Sequence, residues 1–154
     1  MSYYQKKLKH EYSLFLKKQP LKKVYAAVSI NGKFAVLTCN AGNFKYCLSG
    51  GGVEKGETNQ IAIVREIGEE LNMNVEIVKS LGTIHYTADK EYKGKKFTSN
   101  YEAEIFLTKF ISYGKNTKLG IDGEFDSSIN VAIISKEEML NNVAEFVKFD
   151  LTLD

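Results

Sequence analysis

Apolar residues along the chain switch repeatedly between helical spacing and two-residue alternation, and those switches outline the elements of one domain. Tyr4, Leu8, Tyr12 and Phe15 recur at helical spacing with lysines between them, so residues 2–18 read as a basic amphipathic helix that Pro20 closes. A β-rich block follows. Val24 to Ile30 is β-branched and small, Asn31-Gly32 is a hairpin signal, Lys33 to Cys39 is the returning strand, and Phe44 to Leu48 is a short strand ending at glycines. A helix is predicted from Thr58, its N-cap, to Leu71; Ile61 stands where a capping box would place Glu or Gln, and Asn72 tolerates the left-handed turn that ends the helix. Val75 to His85 and Asn100 to Ile111 are longer strands, the second alternating Tyr101, Ala103, Ile105 and Leu107 against Glu102, Glu104, Phe106 and Thr108. The polar segment Asp89 to Lys96 between them is predicted to be an exposed loop, as is the glycine-punctuated segment 114–127. Ile129 to Ile134 makes a last strand, and Ser135 with Glu138 forms a capping box for a helix from Lys136 to about Val147.

The order helix, strands, helix, strands, helix predicts an α/β protein with a mixed (α+β) sheet between helices, in a single domain. That domain spans residues 21–154, with residues 1–20 as an appended N-terminal helix. Such a helix suits a membrane surface, a cap on the domain or a contact across a homodimer, and the latter two are preferred. With 154 residues, 44% apolar content and one proline, neither disorder nor a low-complexity array is expected. The net charge of +2 advertises no dedicated nucleic-acid surface, although a local basic patch suffices for a polyphosphate. No membrane-length apolar run or signal-peptide core occurs, so a cytoplasmic protein is expected. Cys39 and Cys47 are too few for a disulfide framework and wrongly spaced for zinc, with neither His10 nor His85 near them in sequence; two buried thiols are expected.

The segment GGGVEKGETNQIAIVREIGEELNM, Gly50 to Met73, carries the candidate chemistry. On a helical wheel Glu66, Glu69 and Glu70 fall within about 100°, with Ala62 among them, and Ile63, Val64, Ile67 and Leu71 fill a neighbouring arc. Three carboxylates this close repel one another unless a cation sits between them. Hard cations such as Mg²⁺ prefer oxygen ligands beside phosphate. Gly50, Gly51 and Gly52, without Cβ atoms, can bring backbone groups close to a metal or phosphate. Arg65 stays charged and can hold a carboxylate in a bidentate grip.

The register of these residues resembles the Nudix box of the MutT-like Nudix hydrolases, G-x5-E-x7-R-E-U-x-E-E-x-G-U with U aliphatic. Gly51, Glu57, Arg65, Glu66, Ile67, Glu69, Glu70 and Met73 fall in place. Asn72 replaces the glycine, and Ser49 stands where many members have proline, a change expected to matter little to the chemistry. The resemblance implies the family's α/β/α sandwich and a Mg²⁺- or Mn²⁺-dependent hydrolysis of a nucleoside diphosphate linked to another group. It implies metal binding by Glu66, Glu69, Glu70 and the Gly50 carbonyl, and a Glu57–Arg65 pair that orients the helix. Glu69 is the first candidate for general base and Glu124, in the loop 120–126, the second. Glu102 or Glu104 is a candidate for a further metal ligand.

Substrate specificity is expected to lie outside the box. Beyond Gly51 and Gly52, Tyr86 and Tyr101, with Tyr92 and Phe97, are candidates for stacking on a base, and Lys90, Lys93, Lys95 and Lys96 make a basic segment. Nucleoside triphosphates, oxidised ones included, come first as substrates. ADP-ribose, nucleotide sugars, dinucleoside polyphosphates and capped RNA ends follow. A nucleotide-sensing module without chemistry is the alternative of another class, disfavoured because all four acidic box positions are filled.

Overall fold

A computed structural model describes residues 2–41, 44–115 and 130–142. The elements run α1 (Tyr3–Leu16), β1 (Leu21–Ile30), β2 (Lys33–Ala41), β3 (Phe44–Cys47), β4 (Ser49–Gly52), α2 (Asn59–Leu71), β5 (Met73–Tyr92), β6 (Lys95–Tyr113), β7 (Val131–Ile134) and α3 (Lys136–Asn142). Seven strands form one mixed sheet in the order β3-β2-β1-β6-β5, with β4 pairing β1 and β7 pairing β2. The β1–β6 pair is parallel, and the remaining pairs are antiparallel.

Local sequence accounts for most of the boundaries. Asn31 and Gly32 both take positive φ, 49° and 76°, as a two-residue hairpin turn requires. Ser2 caps α1 by accepting from the Gln5 N–H, and Thr58 caps α2 by accepting from Ile61 N–H at 3.2 Å. Asn72 ends α2 in the left-handed region, with φ 55°. Ser135 caps α3, accepting from Glu138 N–H, while the Glu138 carboxylate accepts from the Tyr46 hydroxyl.

Alternate residues of the sheet feed two cores. Val24, Ala26, Val28, Leu37 and Phe106 pack against Ala62, Ile63, Ile67 and Leu71 of α2. Ala27, Phe34, Val36, Ile105 and Leu107 pack with Met139 of α3 on the other face. The α/β/α layering follows from this alternation. The expected apolar stripe on α2 is displaced by a turn's edge: Val64 is 41% exposed and Ala62 fully buried.

Two expectations fail. The segment Asp89–Lys96 is not a loop, because β5 and β6 stay paired out to Tyr92↔Lys95 and close through Lys93-Gly94, both at positive φ. Tyr92 and Phe97 hold this extension by burying against Leu8 and Tyr12 of α1, a contact between distant parts of the chain that local polarity conceals. They are therefore packing residues and present no face to a base. Cys47, expected as a thiol, is disulfide-bonded, and no cysteine among the described residues is free. The return of β3 along β2 pairs Cys47 with Leu37, two residues from Cys39, a proximity that the linear spacing does not announce. Among the described residues no helix is long and apolar enough to cross a membrane.

Leu8 sits at the centre of the contact between α1 and the hairpin. Leu8→Ala is expected to remove about 2–5 kcal/mol of packing free energy. The effect should be local: hydrogen exchange across Tyr3–Leu16 speeds up while β1 and β6 keep their protection. Equal acceleration in β1 would show instead that α1 and the sheet open as one unit.

Candidate active site

The site forms where α2 lies across β4. Gly50 is required here by closeness of approach, and Gly51 leaves room for the Glu66 carboxylate. A Cβ on Gly50 would run into the Val24 carbonyl oxygen, and one on Gly51 would stand 2.6 Å from Glu66 Oε1. With hydrogens alone at these positions, β4 both pairs with β1 and receives the helix carboxylates. The Gly50 N–H donates to Glu70 Oε1 at 2.8 Å, and the Ser49 hydroxyl donates to the same oxygen at 2.9 Å. Ser49 is fully buried. Its hydroxyl gives Glu70 a partner that proline could not supply, so the residue expected to matter little is part of the site.

Arg65 joins the remaining acids. Its Nε and Nη2 donate to the two oxygens of Glu57 at 2.7 and 2.9 Å, and Nη2 also donates to the Gly52 carbonyl at 3.0 Å. Its Nη1 donates to Glu66 Oε1 at 3.1 Å and to Glu69 Oε2 at 3.3 Å. The Glu57–Arg65 pair expected from the sequence is thus formed. The Gly52 carbonyl faces Arg65.

Burial sets the electrostatics. Glu57, gripped by Arg65, is held below the ordinary carboxylate range. Glu66 moves the other way, because loss of solvent outweighs the nearby guanidinium. Burial pushes Glu70 up to about 7, against the opposing hydrogen bonds from Gly50 and Ser49. These two acids are costly to keep ionised, and a divalent cation with oxygen preference would offset that cost. The donor chemistry therefore suits such an ion. Among the described residues no three acids or histidines already form a cage, since Arg65 bridges Glu66 and Glu69.

A cavity of about 380 Å³ opens over these groups. Glu66, Glu69, Glu70 and the glycines form one wall. Lys22 and Lys23 of β1 and Tyr3, Lys7, His10 and Glu11 of α1 also line it. Burial and the charge of Lys7 hold the Lys23 ammonium below its ordinary pKa. The residues from α1 and β1 were not anticipated. Tyr3, Lys7, His10 and Glu11 do share one helical face, but the more conspicuous Tyr4–Leu8–Tyr12–Phe15 stripe drew attention to packing.

Other candidates lie elsewhere. Tyr86 and Tyr101 are cross-strand partners, stacked at 4.8 Å on each other, and they line a different depression with His85 and Asn100. Tyr101 is buried with its hydroxyl on Glu11, which removes it as a stacking surface for a base. Glu104 accepts from Asn59 and Ser80, and neither it nor Glu102 lines the cavity. Glu124 lies outside the described residues.

Residues 21–148 match the family model described as the NUDIX domain. The chain belongs to this family and is a hydrolase acting on pyrophosphate bonds. Among solved structures, it is similar to a NUDIX hydrolase from Nitrosomonas europaea, at 23% identity and a TM-score of 0.57, over 80% of this chain and 78% of that one. It is also similar to a MutT NUDIX hydrolase from Burkholderia pseudomallei, at 20% identity and a TM-score of 0.54, over 82% and 88% of the two chains. The E. coli ORF135 protein matches at 19% identity and a TM-score of 0.50, over 86% and 84%. At these identities the likeness concerns the fold. A search of curated proteins returned no match.

The raised pKa of Glu70 has a consequence for stability. Between its ordinary 4.5 and about 7, the folded protein holds a proton that the unfolded chain has released. Stability without metal should therefore fall as pH rises through that interval. Glu70→Gln keeps an acceptor for Gly50 and Ser49 and should make the slope of Tm against pH markedly shallower, measured by thermal unfolding in chelator. An identical slope in the variant would rule out Glu70 as its source.

Proposed function

We propose that the protein uses Mg²⁺ or Mn²⁺ to hydrolyse a phosphoanhydride bond in a nucleoside diphosphate linked to another group, with nucleoside triphosphates, oxidised ones included, as the first substrates. The supporting observation is that the half-buried carboxylates of Glu66 and Glu70 open, with Glu69, onto the same cavity as Lys22, Lys23 and Lys7. Carboxylates that would hold a divalent cation and lysines that attract phosphate oxygens around one cavity suit a polyphosphate substrate.

Glu66, Glu69, Glu70 and the Gly50 carbonyl are the groups that would hold the ion. Bound there, it would polarise the phosphoryl group and offset charge on the leaving group. The chain's own residues do the rest. Glu57 and Arg65 fix α2 against β4, and Gly51 leaves room for Glu66 beside the strand. Glu69 is the residue we assign as general base. Its carboxylate is held by the Arg65 Nη1 on the solvent side of the acidic group, with a side chain 25% exposed, where a water can reach it.

Purified protein with Mg²⁺ should release phosphate or pyrophosphate from a member of a panel of nucleoside triphosphates, ADP-ribose, nucleotide sugars and dinucleoside polyphosphates. Silence across the panel, with Mn²⁺ also tried, would favour a nucleotide-binding module. Glu69→Gln should lower turnover by about a hundredfold or more, the range for loss of a positioned base, without moving the unfolding midpoint; undiminished turnover would reassign the base.

A further inference from the structure

Ser49 is fully buried in β4, opposite Ala26 of β1, and a hydroxyl shut away from water needs a partner. Its partner is Glu70: the hydroxyl donates to Oε1 at 2.9 Å, and the Gly50 N–H donates to that same oxygen at 2.8 Å. Among the described residues these are the donors to Glu70, and both fall on Oε1. A carboxylate oxygen has two lone-pair sites, so Oε1 is saturated and Oε2 is the oxygen left for the cavity that Glu70 lines. The arrangement is rigid. Consecutive residues of one strand supply both donors, and β4 is seated against β1 too closely for Gly50 to carry a Cβ. On the helix side Leu71, 3% exposed, anchors the neighbouring position of α2 in the core.

The other two acids are held differently. Arg65 Nη1 donates to Glu66 at 3.1 Å and to Glu69 at 3.3 Å, and its positive charge repels an arriving cation. The Ser49 hydroxyl and the Gly50 N–H are neutral, so no charge repulsion drives them off Glu70 when a cation arrives. Divalent ions differ in what they ask of a carboxylate. Ca²⁺ gathers more oxygens in flexible geometry and takes carboxylates by one oxygen or by both, whereas Mg²⁺ demands a near-ideal octahedron and keeps several waters. We propose that Ser49 is a positioning residue that confines Glu70 to coordination through one oxygen, and so biases the site toward a small octahedral ion, Mg²⁺ or Mn²⁺, over Ca²⁺. A residue without a hydroxyl at position 49 would leave Gly50 alone on Oε1 and free a lone pair for a second contact to the ion. This inference deepens the divalent-cation reading and rests on it for the presence of the ion.

The test uses the full chain without nucleotide. Mn²⁺ is titrated by calorimetry, and Ca²⁺ is then added in competition to give the ratio of the two affinities. Ser49→Ala, with Ser49→Gly as a second variant, removes the hydroxyl and adds no bulk to a closed site. Wild-type protein is expected to prefer Mn²⁺. In both variants Mn²⁺ binding should weaken by about tenfold, as loss of a residue that orients a metal ligand does, and Ca²⁺ binding should weaken several-fold less, so the preference narrows. A site that is merely loosened would lose both ions alike. Equal loss for the two ions, an unchanged preference, or a wild type that takes both ions equally would each overturn the assignment. The two readings fail separately: wild-type protein that binds no Mn²⁺ refutes the cation site itself, whereas Mn²⁺ binding with a preference indifferent to Ser49 keeps that site and removes Ser49 from it.

Discussion

The Arg65 guanidinium is the interaction on which the site depends. It carries five N–H donors in a fixed plane, and each has a partner: two on Glu57, one on the Gly52 carbonyl, and two directed to Glu66 and Glu69. Through them α2, the loop that precedes it and the end of β4 are joined at one point. A lysine could neutralise the same charge, but it could not reach three elements with fixed geometry. The close approach of β4, which Gly50 permits by lacking a Cβ that would meet the backbone of β1, brings the Gly52 carbonyl within reach of that fork.

The unusual electrostatics follow from how the helix is phased. Measured from Ala62 at about 100° per residue, the buried positions Ile63, Ile67 and Leu71 run round to about 180°. Glu66 and Glu70 fall at about 40° and 80°, inside that buried half. Burial of the helix therefore desolvates two carboxylates along with the apolar stripe, and both rise in pKa although a guanidinium stands beside the first. The sequence contained this overlap, since Ala62 already lay among the acids on the wheel. Val64, at about 200° on the same wheel, lies past the edge of the buried half and is exposed.

Features written in local chemistry were legible, and features that depend on chain ends meeting were not. The Asn31-Gly32 turn and the Thr58 and Asn72 caps each rest on residues close in sequence with strong preferences, while the Glu57–Arg65 pair was implied by the resemblance to the Nudix box. The long β5–β6 hairpin does not. Its tip is polar, and only contact with α1, some eighty residues earlier in the chain, makes Tyr92 and Phe97 core residues. The same contact withdraws Tyr101 from any base and gives its hydroxyl to Glu11. Ser49 was underrated for a related reason, since its role appears only once β4 is set against Glu70.

Net charge was the least informative quantity for the site. A sum of +2 states that acids and bases nearly balance over the chain. It cannot state that the fold gathers Glu66, Glu69 and Glu70 of α2, Lys22 and Lys23 of β1, and Lys7 and Glu11 of α1 around one cavity. Here the carboxylates face Arg65 and the backbone of β4, while α1 is held off at the hairpin by Leu8 and Glu11. The place of α1 beside the cavity is thus set by its packing on the hairpin and not by contact with the carboxylates of α2.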